Sequence, residues 1–253
     1  MSQYQDMLAR RREYLLGRMD VALSRSGRSL DDAQLLAVSK TVDVDAVVDA
    51  IAVGYRLFGE NRPQELNRKL EGLSAASRCH EIDLDAIQMH MIGNLQTNKI
   101  NSLVGKTPLI HSISSSKLAQ EVSARTLRAQ QALDTQTVIT PQSVLLEVNV
   151  SGEQTKQGFT VEEVERDYAQ LCKLEGIKIC GLMCMAPAGK PKEAHEAFAG
   201  LRELKDRLNA AAHNNALSEL SMGMSGDFEI ALEEGSTCIR LGRIVFDPNF
   251  AVE

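Results

Sequence analysis

The sequence predicts an α/β chain folded as a closed (β/α)8 TIM barrel with an additional N-terminal helix. Three observations predict it. Eight short apolar, strand-like runs recur along the chain, segments of helical composition separate them, and several runs are apolar almost throughout, as in Val144-Leu-Leu-Glu-Val-Asn-Val and Cys180-Gly-Leu-Met-Cys-Met. Near-continuous apolar strands belong to parallel sheets covered on both faces, and eight strands alternating with helices close most simply into a barrel. An open doubly wound sheet with an extra strand is the alternative.

The elements follow in order. Gln3 to about Ser26 carries Met7, Leu15, Leu16, Met19 and Leu23 among many Arg and Asp residues, the spacing of an amphipathic helix. Strands are predicted at Gln34 to Lys40, Tyr55 to Glu60, Ile87 to Ile92, Leu109 to Ile113, Val144 to Val150, Ile177 to Met185, Leu217 to Met222 and Cys238 to Phe246. Helices are predicted at Val44 to Val53, Pro63 to Leu73, Thr97 to Val104, Ser116 to Leu133, Val161 to Leu174, Lys192 to Ala212 and Asp227 to Glu233. Pro63 suits a first helical turn, Thr160 precedes Val161-Glu-Glu as a cap, and Ser225 precedes Gly226-Asp-Phe-Glu in the same way. The loosest segments, Ser74 to His80, Asp134 to Ser143 and Ala186 to Lys192, are short enough to be loops. One domain over residues 1–253 is therefore expected, with the extra helix at about 3–26 and the barrel at about 34–246.

The chain has 253 residues, 43% of them hydrophobic and 25% charged, with 28 Lys and Arg against 34 Asp and Glu. A net charge of -6 argues against a nucleic-acid or anionic-membrane surface, both of which reward clustered positive charge. The N-terminus lacks a signal-peptide pattern and no run of about 18 apolar residues occurs, so a cytoplasmic protein is expected. Cys79, Cys172, Cys180, Cys184 and Cys238 are odd in number and scattered, and the five histidines form no zinc-binding pair, so neither a disulfide framework nor a metal site is expected. Cys180 and Cys184, four apart in a strand-like run, are expected on one buried face.

In a parallel barrel the chemistry collects where the C-terminal ends of the strands converge. Those ends carry Lys40, Asn61, His90, Asn94, Asn149, Ser221-Met-Gly-Met-Ser225, Arg240 and Gly242. Lys40 matters most, because an amine desolvated at the end of an apolar strand is available as a nucleophile toward a carbonyl. Ser221-Met-Gly-Met-Ser-Gly is a small-residue turn leading into a helix, suited to an anion, and Gly242, near the end of the eighth strand, lets a second backbone segment approach the same anion. Loops seven and eight are the usual phosphate site of this architecture. Asp227 counts against an anion unless it points away. A phosphate at one end and an amine at the other fit pyridoxal 5′-phosphate held as a Schiff base.

Ala37-Val-Ser-Lys40-Thr, Phe58-Gly-Glu-Asn61, His90-Met-Ile-Gly-Asn-Leu-Gln-Thr-Asn-Lys99, Asn149-Val-Ser-Gly-Glu-Gln-Thr-Lys156-Gln-Gly158, Gly181-Leu-Met183, Leu220-Ser-Met-Gly-Met-Ser225-Gly-Asp-Phe and Gly235-Ser-Thr-Cys-Ile-Arg240-Leu-Gly242 run in order over roughly residues 34–246. Together they resemble the pyridoxal-phosphate homeostasis proteins, relatives of the alanine racemase N-terminal barrel. The resemblance implies that Lys40 forms the covalent link to pyridoxal phosphate, and that Ser225 and the backbone around Gly242 and Arg243 bind its phosphate. It sets Arg240 against the pyridine nitrogen and places Asn61 and His90 near the cofactor. Lys156 lies in a loop like the family's, as a second basic contact or a solvated side chain. Thr41-Val42 departs from the family by lacking a second lysine after Lys40, and Phe246-Asp247-Pro248 replaces the more typical Phe-Gly.

The implied function is a carrier in vitamin B6 balance that holds pyridoxal phosphate without substantial turnover and releases it to apo-enzymes. The rival is an amino-acid racemase, which needs a second base, supplied in racemases by a tyrosine from a partner's additional domain. The eight strands leave no such domain, and monomer is the default. A third reading, a barrel for some other phosphorylated metabolite, needs Ser225 and Gly242 but not Lys40.

Overall fold

The computed structural model describes residues 1–253 except 79–81, 133–139, 154–155, 213–216 and 251–253. Cys79, His80, His213, the predicted helix end at Leu133 and most of the loop from Asp134 lie outside the described residues. Eight parallel strands close into a barrel in sequence order: β1 (Gln34–Val38), β2 (Leu57–Glu60), β3 (Gln88–Met91), β4 (Ile110–Ile113), β5 (Gln142–Glu147), β6 (Ile177–Met183), β7 (Glu219–Ser221) and β8 (Cys238–Leu241). The sheet closes through Leu36 opposite Arg240 and Ala37 opposite Leu241. The open-sheet alternative is thereby excluded.

The helices are α1 (Gln3–Arg25), α2 (Val44–Ala52), α3 (Pro63–Ala76), α4 (Ser116–Ala132), α5 (Val161–Leu171), α6 (Pro191–Ala211), α7 (Phe228–Glu233) and α8 (Arg243–Phe246). Reciprocal bonds between Ser2 and Gln5 start α1, the same arrangement of Thr160 and Glu163 starts α5, and Pro63 occupies the first turn of α3. Helix α1 packs on α2, α7 and α8, burying Leu8, Leu15, Met19 and Leu23. Its Arg11 clamps the chain after β8, donating to the carbonyls of Asp247 at 2.6 Å and Phe250 at 2.9 Å. Among the described residues no helix is long and apolar enough to cross a membrane, and no group of His, Cys, Asp or Glu is arranged to hold a metal.

Four local expectations are corrected. The eighth strand does not run to Phe246: it ends at Leu241, and residues 243–246 form one helical turn after Gly242. Thr97–Ser102 is a 3-10 helix. Helix α7 starts at Phe228 with Asp227 rather than Ser225 before it. Cys180 and Cys184 do not share a buried face, because β6 carries an extra residue where its pairing with β5 jumps from Val144–Ile179 to Leu145–Gly181. A bulge of this kind breaks the period of two, leaving Cys180 half-exposed while Cys184 is buried.

Strand alternation divides the buried residues into two sets. Phe58, Leu146 and Ile239 face the helices, whereas Leu36, Val38, Leu57 and Cys238 pack together with Ile92 inside the barrel. The interior is completed by polar residues, and these lead to the site.

Candidate functional site

Lys40 stands in the turn directly after β1, where the carbonyl of Ser39 accepts from Val42 N at 3.1 Å. The side chain is exposed and makes no hydrogen bond or ion pair with the described residues. This corrects the expectation of a desolvated amine: the strand stops at Val38, and the lysine lies two residues past the apolar run. Asn61, half-buried, follows β2, and Gly93 lies against its backbone so closely that a Cβ there would come within 2.3 Å of the Asn61 carbonyl oxygen.

The loop after β7 is closed on itself. Asp227 Oδ1 accepts from Met224 N at 2.6 Å and Asp227 N donates to Met224 O at 3.1 Å, which leaves Ser225 and Gly226 at the tip. The carboxylate is therefore turned back onto the loop, which answers the objection it raised as a free negative charge. Burial raises its pKa, against the Met224 N–H and Arg240, which lower it. The Ser225 hydroxyl and the backbone N–H groups of Ser225, Gly226 and Gly242 donate to no acceptor among the described residues. Arg240 N donates to Gly223 O at 2.9 Å, joining this loop to β8. A Cβ on Gly242 would meet Val38 only at 3.4 Å, ordinary contact, so internal packing does not require glycine there. Register and these contacts bring residues 38–40, 223–226 and 240–243 side by side. Arg243 is exposed at the start of α8, with its guanidinium 6.0 Å from the Phe250 ring centre.

Arg240 is buried in the barrel. It donates through Nη1 to Ser221 O and Ser221 Oγ, both at 2.7 Å, and through Nη2 to Cys184 O at 3.0 Å. Three of the five guanidinium N–H groups are thus used and the others remain. Ser221 Oγ also meets His111 Nδ1 at 2.8 Å, His111 Nε2 meets His90 Nδ1 at 3.0 Å, and His90 Nε2 meets Gln88 Oε1 at 3.2 Å. Counting donors gives one neutral arrangement that satisfies every member: Gln88 Oε1 only accepts, so His90 donates to it, His111 donates to His90, Ser221 donates to His111, and Arg240 donates to Ser221. Burial pushes His90 down to about 4 and holds His111 well below the usual imidazole range, with His90 and Arg240 adding to the effect on His111.

His90 was expected at a strand end. The structure places it within β3, leaning toward Gln88 and reaching Arg240 only through His111 and Ser221. Lys156 is neither a free basic contact nor a solvated side chain: its amine pairs with Glu153 at 2.9 Å and donates to Met185 O at 3.2 Å. Sequence reasoning missed His111 and Glu147, the latter buried, with burial raising its pKa and Arg240 lowering it. Alternation within Ile110-His-Ser-Ile, which puts His111 opposite in direction to Ile110, is the signal that points to His111.

Arg240→Lys is expected to lower stability by about 1–2 kcal/mol, because an ammonium reaches fewer of the three acceptors than a guanidinium fork does. Chemical denaturation checks this; an unchanged midpoint would show that the three bonds contribute nothing net.

The alanine racemase N-terminal domain family matches residues 19–249. A pyridoxal phosphate homeostasis protein of Aquifex aeolicus is 40% identical over 233 residues, covering 92% of this chain and 94% of that protein. Among solved structures, an unknown protein from Bifidobacterium adolescentis superposes with a TM-score of 0.86 at 34% identity, covering 97% of each chain. PipY of Synechococcus elongatus PCC7942, solved with PLP bound, has a TM-score of 0.73 at 30% identity, covering 89% of this chain and 99% of that one. With its closed barrel, and with this identity extending over nearly the whole length of the relatives, the chain belongs to the pyridoxal phosphate homeostasis protein family, built on the alanine racemase N-terminal fold.

Proposed function

We propose that this protein binds pyridoxal 5′-phosphate and serves as a carrier in intracellular vitamin B6 homeostasis. The observation that carries the reading is the juxtaposition at one barrel mouth of an amine, on Lys40, with a cluster of donors around Ser225, Gly226 and Gly242, none of them engaged among the described residues. The donor set fits the group. Ser225 Oγ and the neighbouring N–H groups offer hydrogen bonds to a phosphate, with the N–H of Arg243 at the start of α8 beside them. The amine of Lys40 holds the cofactor as a Schiff base: Nζ forms a bond to the aldehyde carbon, and the aldehyde oxygen leaves as water. Hydrolysis reverses the step, and exchange with another amine passes the cofactor to an apo-enzyme. Bound pyridoxal phosphate supplies an electron sink for carbanion chemistry.

Arg240 tempers that chemistry. Its remaining N–H groups face the ring nitrogen as donors, and a guanidinium does not readily give up a proton, so the ring nitrogen stays unprotonated and the sink is weak. Asn61 flanks the Lys40 turn, and His90 acts from behind, through the chain that orients Arg240. The tyrosines also support a carrier over a racemase: Tyr4 and Tyr14 lie on α1, Tyr168 on α5, and Tyr55 precedes β2 at the opposite end of the barrel from the mouth. The relative named for pyridoxal phosphate homeostasis and the PLP-bound PipY support the same reading.

The test is to incubate the purified protein with pyridoxal phosphate, record its visible spectrum, reduce with borohydride and locate the adduct by mass. A coloured protein with its adduct on Lys40 is expected. A colourless protein, or an adduct elsewhere, sinks the reading, and sustained D-alanine formation in a coupled assay replaces the carrier with the racemase.

A further inference from the structure

Behind the Lys40 turn, between the barrel and α3, lies a buried charged cluster that the proposed function leaves unused. Phe58 and Glu60 of β2 face α3, while Leu57 and Gly59 face the barrel interior. Glu60 pairs with Lys69 of α3, and both side chains are only 1% exposed. Lys69 Nζ also donates to the carbonyl of Ser39 at 2.5 Å, and Ser39 Oγ donates to Glu60 Oε1 at 2.6 Å. Ser39 N donates to Gly59 O at 3.0 Å, and Ser39 O accepts in addition from Val42 N. Every polar atom of Ser39 is thus engaged. The second carboxylate oxygen of Glu60 is buried and has no hydrogen-bond partner.

A buried ion pair is a poor way to gain stability, because removing two charges from water costs as much as their attraction returns, and apolar residues of similar volume pack as well. Leaving Glu60 Oε2 unsatisfied adds to that cost. What a methionine and a leucine would not do is hold a carbonyl and a hydroxyl. Apart from the bond between the two charges, each hydrogen bond of the cluster ends on Ser39, the residue before Lys40. Lys40 itself has no partner among the described residues, so the direction its side chain takes is set by the backbone of the turn that carries it.

We propose that Lys69 and Glu60 are positioning residues for Lys40: by clamping Ser39 from behind the sheet they fix the turn, and so aim the Lys40 amine across the barrel mouth toward the Ser225 and Gly242 loops. The inference rests on the reading of Lys40 as the reactive amine. Pre-setting the turn removes an ordering cost that capture of an aldehyde must otherwise meet.

The test is the double variant Lys69→Met/Glu60→Gln, which removes both charges together and leaves no uncompensated one. Ser39→Ala, which deletes only the hydroxyl link, is the second variant. Three quantities are measured: thermal unfolding of the apo-protein, hydrogen exchange of the Val42 amide in the apo-protein, and the rate of pyridoxal phosphate capture with the borohydride adduct located by mass. The double variant is expected to unfold cooperatively, to exchange the Val42 amide at least tenfold faster, and to capture at Lys40 at least tenfold more slowly. Ser39→Ala is expected to show a smaller loss of the same kind. Conservative packing without positioning predicts a change in unfolding alone. Val42 exchange and capture within twofold of the parent protein overturn the proposal, whether in the folded double variant or, if that variant does not fold, in Ser39→Ala. If the parent protein forms no adduct on Lys40, the reading of Lys40 fails instead, and Val42 exchange still reports whether the clamp holds the turn.

Discussion

Lys40→Ala is expected to abolish the borohydride-trapped adduct completely while leaving the fold intact. The two halves of this expectation have separate physical grounds. Nucleophilic capture needs a free amine at the barrel mouth, and the amine of Lys156, held by Glu153 and the Met185 carbonyl, is not free to replace it. The fold does not need the side chain, because Lys40 is exposed, lies in a turn and makes no hydrogen bond or ion pair among the described residues. Exposed substitutions of this kind stay within about 0.5 kcal/mol, roughly 1–2 °C in Tm for a protein of this size. A variant with the adduct retained would move the reactive amine elsewhere; a variant that fails to fold would make Lys40 structural.

The number and order of strands are legible because each strand is a short apolar run bounded by polar punctuation, and the runs predicted from Gln34, Tyr55, Leu109, Ile177 and Cys238 all contain strands. Their ends are less legible for physical reasons specific to each. The run Cys238 to Phe246 is apolar beyond Leu241 because α8 buries Ile244, Val245 and Phe246 against the core, and burial reads alike in a strand and in one helical turn. The bulge at Cys180 leaves no mark in composition, since an extra residue in an apolar strand is still apolar.

The candidate site divides in the same way. Lys40, Ser225, Arg240 and Gly242 lie at or near strand ends, where position alone marks a residue for chemistry. The residues that hold them in place depend on contacts between distant parts of the chain: His111 meets Ser221 across 110 positions, and Arg240 reaches Cys184 across 56. Lys69 is hidden most thoroughly. A lysine in a helix with a polar face reads as solvated, and only the fold shows it fully buried against Glu60.

Acidification is expected to weaken the fold from pH 6.5 downward, and the histidine pair inside the barrel is the cause. An unfolded histidine takes up a proton near pH 6.5, whereas folded His90 resists until about pH 4 and His111 is displaced the same way. The unfolded state therefore binds more protons in this window, so stability is complete above pH 6.5 and falls as pH drops toward 4. His90 alone corresponds to about 1.4 kcal/mol per pH unit, roughly 3 kcal/mol across the window. The donor count gives the structural reason: a protonated ring in either histidine sets two N–H groups against each other across the 3.0 Å contact, or against the Arg240-bound Ser221. Glu147 and Asp227, raised by burial, act in the opposite sense, since the folded state binds their protons first and gains from acid. Surface acids held below their usual range, such as half-buried Asp167 at about 2, lose their stabilising charge only at lower pH, which separates them from the histidines above pH 5. Urea midpoints measured between pH 7.5 and 5 in the parent protein and in His90→Gln decide the matter. The variant is expected to start from a lower stability but to show a shallower fall below pH 6.5, and an identical slope would acquit the pair.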